Sequence, residues 1–142
     1  FAAMGIAVPG AIAARLAFPD RPVVAVTGDG GFLMNGAELE TARRLGLSLV
    51  LVVFNDRRFG SIDFKMRRAF GSSFGVEFGN PDFVRFAESF GARGFRVQHA
   101  RELPGVLREA FTGGGVAVVD VETDYEENLR LLQRLGENLV GA

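Results

Sequence analysis

The sequence predicts an α/β domain, a parallel sheet sandwiched by helices, and three observations carry that expectation. The runs Val23-Val24-Ala25-Val26-Thr27, Leu49-Val50-Leu51-Val52-Val53-Phe54 and Val116 to Val121 are apolar almost without a break. A strand covered on both faces reads this way, whereas a half-exposed strand alternates. Helical stretches lie between the runs, as a parallel sheet requires of its crossovers. Finally, a glycine-rich turn, Gly28-Asp29-Gly30-Gly31, follows the first run directly, at the sheet edge where open α/β folds bind ligands.

Taken in order, Met4 to Phe18 reads as an Ala-rich helix that tolerates Pro9 near its start and stops at Pro19-Asp20. Val23 to Thr27 is the first strand. Asn35 is placed to cap a helix that ends at Gly46. Ser48 to Phe54 is the second strand. Residues 57–80 are the least regular stretch, with five basic side chains interleaved with phenylalanines, and they read as a lid or an interface. Asn80-Pro81 opens a helix whose Phe83, Phe86, Ala87 and Phe90 form a core face. Gly94 to Val97 is a short strand, Arg101 to Phe111 a helix, Val116 to Val121 a strand, and Glu126 to Leu135 a closing helix.

The chain of 142 residues suits a single domain, 1–142, with a real core. A net charge of −1 gives no electrostatic case for nucleic acid or for an anionic membrane. No apolar run reaches the roughly 18 residues of a membrane span. The absence of cysteine excludes disulfide and thiol chemistry and fits a cytoplasmic location. The abrupt start, Phe1-Ala2-Ala3-Met4, suggests a C-terminal fragment of a longer multidomain enzyme.

The chemistry is carried by Asp29 and, 27 residues later, Asp56 in Asn55-Asp56-Arg57-Arg58. Both follow predicted strands. Two hard oxygen donors beside free backbone N–H groups suit a diphosphate carried with Mg²⁺. This pairing resembles the thiamine-diphosphate enzymes, whose signature is Gly-Asp-Gly, a spacer of just under thirty residues, then Asn-Asn. The resemblance implies the thiamine-diphosphate-binding fold, with thiamine diphosphate and Mg²⁺ as cofactors. It implies Asp29, Asp56 and the carbonyl of Arg58 as metal ligands. Asp stands at 56 where the family usually has Asn, and Asn55 is the alternative ligand if the register slips by one. Ala2 and Met4 would meet the cofactor's pyrimidine edge, with Met4, 25 residues before Asp29, as the wedge that bends it. Gly28, Gly30 and Gly31 would hold the diphosphate.

Phe74-Gly75-Val76-Glu77-Phe78-Gly79-Asn80-Pro81-Asp82-Phe83-Val84, with Ala87 to Ala92, is similar to acetolactate synthases, especially the catabolic kind. Val119-Asp120-Val121 with Asp124 to Asn128 adds to the likeness. This implies condensation of two pyruvates to 2-acetolactate and CO₂. Ser61, Ile62 and Lys65 would face the substrate. Ser61 and Lys65 depart from the acetolactate synthase pattern and leave open another 2-oxo acid, as in benzoylformate-, oxalyl-CoA- or glyoxylate-type enzymes. The activating glutamate belongs to a pyrimidine-binding domain that no segment here resembles. It would come from the same or a partner subunit, within a homodimer or homotetramer, so no catalytic residue is assigned to this chain and it would not turn over alone.

Other readings are weaker. A nicotinamide site needs Gly-x-Gly-x-x-Gly, but Leu33 stands at the last position. A non-catalytic module would not need Asp29 and a donor at 56. Glu38 and Glu40 read as solvated. His99, with no ligand partner at metal spacing, reads as a surface residue.

Overall fold

The computed structural model describes residues 3–124. Four parallel strands form one sheet: β1 (Val24–Gly28), β2 (Leu49–Asn55), β3 (Arg93–Val97) and β4 (Val116–Glu122), in spatial order β1-β2-β4-β3. The inner strands β2 and β4 are buried over Leu49–Val53 and Val116–Val121, which is why their sequences lack alternation.

Successive residues feed opposite layers. Leu49, Leu51, Val53, Val116 and Val118 pack against Val8 and Ile12 of α1 (Ala7–Ala17), Phe32 of α2 (Asp29–Asn35), Leu39 of α3 (Leu39–Arg44) and Phe83 of α5 (Phe83–Ser89). Phe32 meets Phe83 edge to face, with centroids 5.4 Å apart. Val50, Val52, Ala117, Val119 and Val121 face the other way, onto Ala110 of α6 (Leu103–Thr112) and its neighbours. The sheet therefore carries helices on both faces, as expected. At the edge, β1 leaves Val24 and Val26 half exposed.

The register sets Gly28 beside Phe54 and Asn55 beside Glu122, so the carboxyl ends of β1, β2 and β4 finish together. The site is built along that edge.

Several boundaries differ from the sequence reading. The first helix starts at Ala7 rather than Met4, because Gly5 sits at φ 89°, outside helical space. The Gly28–Gly31 turn is itself a helix start. Helix α2 begins at Asp29, directly after β1, with Gly28 extended as its N-cap. Asn35 therefore caps nothing, and its Nδ2 instead donates to the carbonyl of Gly5 at 3.0 Å. Residues 57–80 contain an eleven-residue helix, α4 (Gly60–Phe70), closed by Gly71 at φ 76°. Its only buried residue is Asp63, so no apolar stripe announced it. The N-cap of α5 is Asp82, which accepts from the N–H groups of Val84 (3.0 Å) and Arg85 (3.2 Å). Exposed His99 begins the turn before α6, where Glu102 accepts from the backbone of Gln98 and His99. The closing helix expected at Glu126–Leu135 lies outside the described residues.

Candidate functional site

Asp29 leaves β1 and enters α2 fully buried, at 1% exposure. A buried carboxylate needs donors, and it has them. Its Oδ1 accepts from the Gly30 N–H at 2.7 Å. Its Oδ2 accepts from the Arg57 N–H at 2.7 Å and from Asn80 Nδ2 at 2.6 Å. The Arg57 bond depends on an unusual backbone. Arg57 is the one non-glycine residue with positive φ among the described residues, at 59°. That costs strain, and it turns the N–H toward Asp29.

Beyond Arg57 the chain is zipped to a distant segment. The Phe78 N–H donates to the Arg57 carbonyl at 3.1 Å and the Phe59 N–H to the Val76 carbonyl at 2.8 Å, flanking an antiparallel bridge between Arg58 and Glu77. Asn80, at the end of that segment, is thereby brought to Asp29.

Asp56 is treated differently. Its Oδ2 is buried with no hydrogen-bond partner. Burial raises its carboxyl pKa, the negative charge of Asp29 raises it further, and the Arg58 backbone N–H only partly offsets both. A carboxylate with an orphaned oxygen beside a second carboxylate is a poor arrangement for an empty site and a good one for a cation. Among the described residues no three His, Cys, Asp or Glu side chains cluster as a metal centre. What the geometry offers is two neighbouring carboxylates, Asp29 and Asp56. That fits Mg²⁺, which commonly takes one or two carboxylates and fills its other positions with phosphate oxygens and water.

Asn55 is committed elsewhere. Its Nδ2 donates to Asp120 Oδ1 at 2.9 Å and its Oδ1 accepts from Asn80 at 2.8 Å. Of the two neighbouring candidates, Asp56 has the free oxygen.

A cavity of about 580 Å³ opens in front of these groups, lined by Met4, Gly28, Gly30, Asp56, Arg58 and Ile62 among others. Gly31 and Ser61 also reach it. Two of the three glycines have a steric reason. A Cβ on Gly28 would meet nothing within 4 Å and would project into open space. A Cβ on Gly30 would lie 2.6 Å from Phe59 Cε1, and one on Gly31 2.8 Å from Thr27 Oγ1. Met4 is 47% exposed at the cavity wall, and the Asn35–Gly5 bond anchors the residue after it. Lys65 does not line the cavity. It is exposed on α4, four residues beyond Ser61 and so on the same helix face. Ala2 lies outside the described residues.

Arg58 also ties this wall to α4, with Nη1 3.5 Å from Asp63 Oδ2. Burial alone would raise the Asp63 carboxyl, but the Ser73 hydroxyl, Arg67 (2.9 Å) and Arg58 outweigh it and hold it low.

Sequence reasoning missed Asn80 and Asp120. Asn80 precedes proline and reads as part of a helix start, and its partner Asp29 is 51 residues away. The signals for Asp120 were a charge inside an otherwise apolar strand and its place in the Val119-Asp120-Val121 likeness.

Comparison with known proteins agrees with this architecture. The chain is 43% identical over 128 residues to the acetolactate synthase of Bacillus subtilis (strain 168), covering 90% of this chain and 22% of that protein. It is 42% identical over 132 residues to the catabolic acetolactate synthase of Raoultella terrigena, covering 93% of this chain and 24% of that protein. The chain thus spans about a quarter of the length of the curated relatives it matches. Among solved structures, the thiamine diphosphate-dependent 4-hydroxybenzoylformate decarboxylase of Rhodococcus jostii RHA1 superposes with a TM-score of 0.81 at 27% identity, over 87% of this chain and 24% of that one. The family model described as thiamine pyrophosphate enzyme, C-terminal TPP binding domain, matches residues 1–121, and the chain belongs to that family.

Proposed function

We propose that this chain forms the diphosphate-binding and Mg²⁺-binding half of an active site that condenses two pyruvates to 2-acetolactate and CO₂. The observation that carries the metal assignment is the orphaned Oδ2 of Asp56 beside the buried carboxylate of Asp29. The acetolactate synthase likeness, 43% and 42% in two relatives, carries the substrate.

Asp29, Asp56 and the Arg58 carbonyl would hold Mg²⁺. Gly28, Gly30 and Gly31 would present backbone to the diphosphate, and Met4 with Ala2 would meet the organic part of the cofactor. Thiamine diphosphate, when bound, supplies the electron sink that decarboxylation of a 2-oxo acid needs. The chain contributes binding, orientation and exclusion of water by the apolar wall of Phe54, Phe59 and Ile62. Ser61 and Ile62 line the cavity and would border the substrate, whereas Lys65 stands on α4 outside its lining. A pyrimidine-binding domain from the same or a partner subunit completes the site, in a homodimer or homotetramer working in the cytoplasm. Among the described residues no helix is long and apolar enough to cross a membrane.

A second reading is favoured by one observation. Ser61 is small, and the similar Rhodococcus structure is a 4-hydroxybenzoylformate decarboxylase, so a 2-oxo acid bulkier than pyruvate is the alternative substrate.

The test uses the complete gene product with thiamine diphosphate, Mg²⁺ and pyruvate, following CO₂ and 2-acetolactate together. A ratio near one supports the synthase. Cofactor binding without either product refutes pyruvate as substrate and directs the assay to aryl 2-oxo acids.

A further inference from the structure

Asn80 lies outside the Gly-Asp-Gly and Asn-Asp pair that suggested the metal site, yet its side chain touches both strand ends that build it. Its Nδ2 is 2.6 Å from Asp29 Oδ2 and 2.8 Å from Asn55 Oδ1. Both neighbours are acceptors, so the amide must present its nitrogen to them, and its two N–H groups are both spent. The Oδ1 that remains is buried without a partner. The position is therefore occupied for its donors, at the cost of an unsatisfied acceptor.

The consequence falls on Asp29. Each carboxylate oxygen has two lone-pair sites. Oδ2 spends both, on the Arg57 N–H and on Asn80. Oδ1 spends one, on the Gly30 N–H. One lone pair of Oδ1 is left, and the rotation of the carboxylate is fixed by donors on both oxygens. From this we infer that Asn80 is a positioning residue for the metal site. It locks Asp29 so that Oδ1 alone is offered to the cation, and it braces the end of β1 against the end of β2. Zipping of residues 76–78 onto the 57–59 loop carries Asn80 into place, and Pro81 holds the residue before it extended.

This rests on the Mg²⁺ site proposed above, and the experiment separates the two. MgCl₂ and CaCl₂ are titrated calorimetrically into the complete gene product with thiamine diphosphate present. Wild type is compared with Asn80→Leu, which keeps the branched shape and removes both donors. Losing a partner that orients a ligand typically costs about 10- to 100-fold in metal affinity, and that loss is expected for Mg²⁺. Mg²⁺ demands near-ideal octahedral geometry while Ca²⁺ tolerates irregular shells, so Ca²⁺ binding should fall much less. A narrowed Mg²⁺/Ca²⁺ preference is the signature of lost positioning, which a general loss of stability does not produce. Unchanged Mg²⁺ affinity, or an equal fall for both ions, overturns the role of Asn80. A wild type that takes up neither ion removes the metal site and the positioning role with it. Should Asn80→Leu not fold, Asn80→Ser, which keeps one short donor, is read by the same criteria.

Discussion

Replacing Asp56 by Asn should make the empty protein more stable and the metal-loaded protein weaker. The two opposite signs come from one atom. In the empty site, Asp56 Oδ2 is buried without a donor and its charge faces that of Asp29. Asn keeps the shape and an oxygen for the Arg58 N–H, and it exchanges a charged orphan for a neutral one. An unsatisfied buried group costs about 1–3 kcal/mol, more when charged, so relief of roughly 1 kcal/mol is expected without metal. The pH dependence follows in sign. Because the folded protein raises the Asp56 carboxyl pKa, Asp56 favours the fold most when protonated, below its unfolded value. That contribution is lost as pH rises through the raised folded value. The advantage of Asp56→Asn should therefore be absent in acid, grow across the upper carboxylate range and stay level at neutral pH. With Mg²⁺ the order reverses, because a neutral amide oxygen replaces a charged ligand. A tenfold weaker Mg²⁺ affinity corresponds to about 1.4 kcal/mol and is the least expected. Thermal unfolding of the complete gene product with EDTA or with Mg²⁺ and thiamine diphosphate, at several pH values, reads both signs. An Asp56→Asn protein less stable than wild type in EDTA at neutral pH, or unchanged in Mg²⁺ affinity, refutes the reasoning.

Four further substitutions test the packing of the fold and of the site. Gly94→Ala places a Cβ 2.6 Å from both Cα and O of Val84, backbone that cannot swing aside. A loss of about 1–3 kcal/mol in urea unfolding is expected, whereas Gly105→Ala, with nothing within 4 Å in helix α6, should gain roughly 0.4–1 kcal/mol. Gly30→Ala drives its Cβ against Phe59, which is itself packed on Phe78 at 4.7 Å between centroids. Displacing that ring from the cavity wall should weaken thiamine diphosphate binding by about tenfold, within the usual range for overpacking, as read by calorimetry. Asp120→Ala strips the Asn55 amide of its acceptor at 2.9 Å, and a loss of about 1–3 kcal/mol is expected for the orphaned group, checked by chemical denaturation.

Much of the fold was legible because burial on two faces leaves a plain signature. The unbroken apolar runs of β2 and β4 correspond to strands buried along nearly their whole length. The edge strand β1 was found by the same rule, although Val24 and Val26 are half exposed. Its composition reports a preference for extended structure more than burial. Helix α4 was invisible because periodicity detects apolar stripes, and this helix buries one aspartate held by Arg67, Arg58 and Ser73. Asn35 misled for a related reason. A cap and a long-range donor are the same residue type in sequence, and only the fold shows its amide reaching Gly5, 30 residues back. Asp29 and Asp56 could be named because each follows a strand. Asp56 could be preferred to Asn55 only through the resemblance, since the sequence does not show that Asp120 and Asn80 occupy the Asn55 amide.

Those polar residues form one continuous brace along the sheet edge. Asp29 at the end of β1 accepts from Asn80, Asn80 also donates to Asn55 at the end of β2, and Asn55 donates to Asp120 of β4. Asp120 in turn meets Arg96 of β3 at 3.4 Å, and Arg96 pairs with the α5 cap Asp82 at 2.8 Å. All four strands are thus linked by side chains at the end where the cavity opens. A network of this kind rigidifies what it joins, here at the cost of one unpartnered oxygen, Asn80 Oδ1. Against it, the orphaned oxygen of Asp56 is not a defect of packing but the position the brace leaves open. Rigidity of the donors around an unsatisfied carboxylate is what a small cation with strict geometry requires. The orphaned carboxylate oxygen, more than the count of acidic residues, is what supports the metal site proposed at this edge.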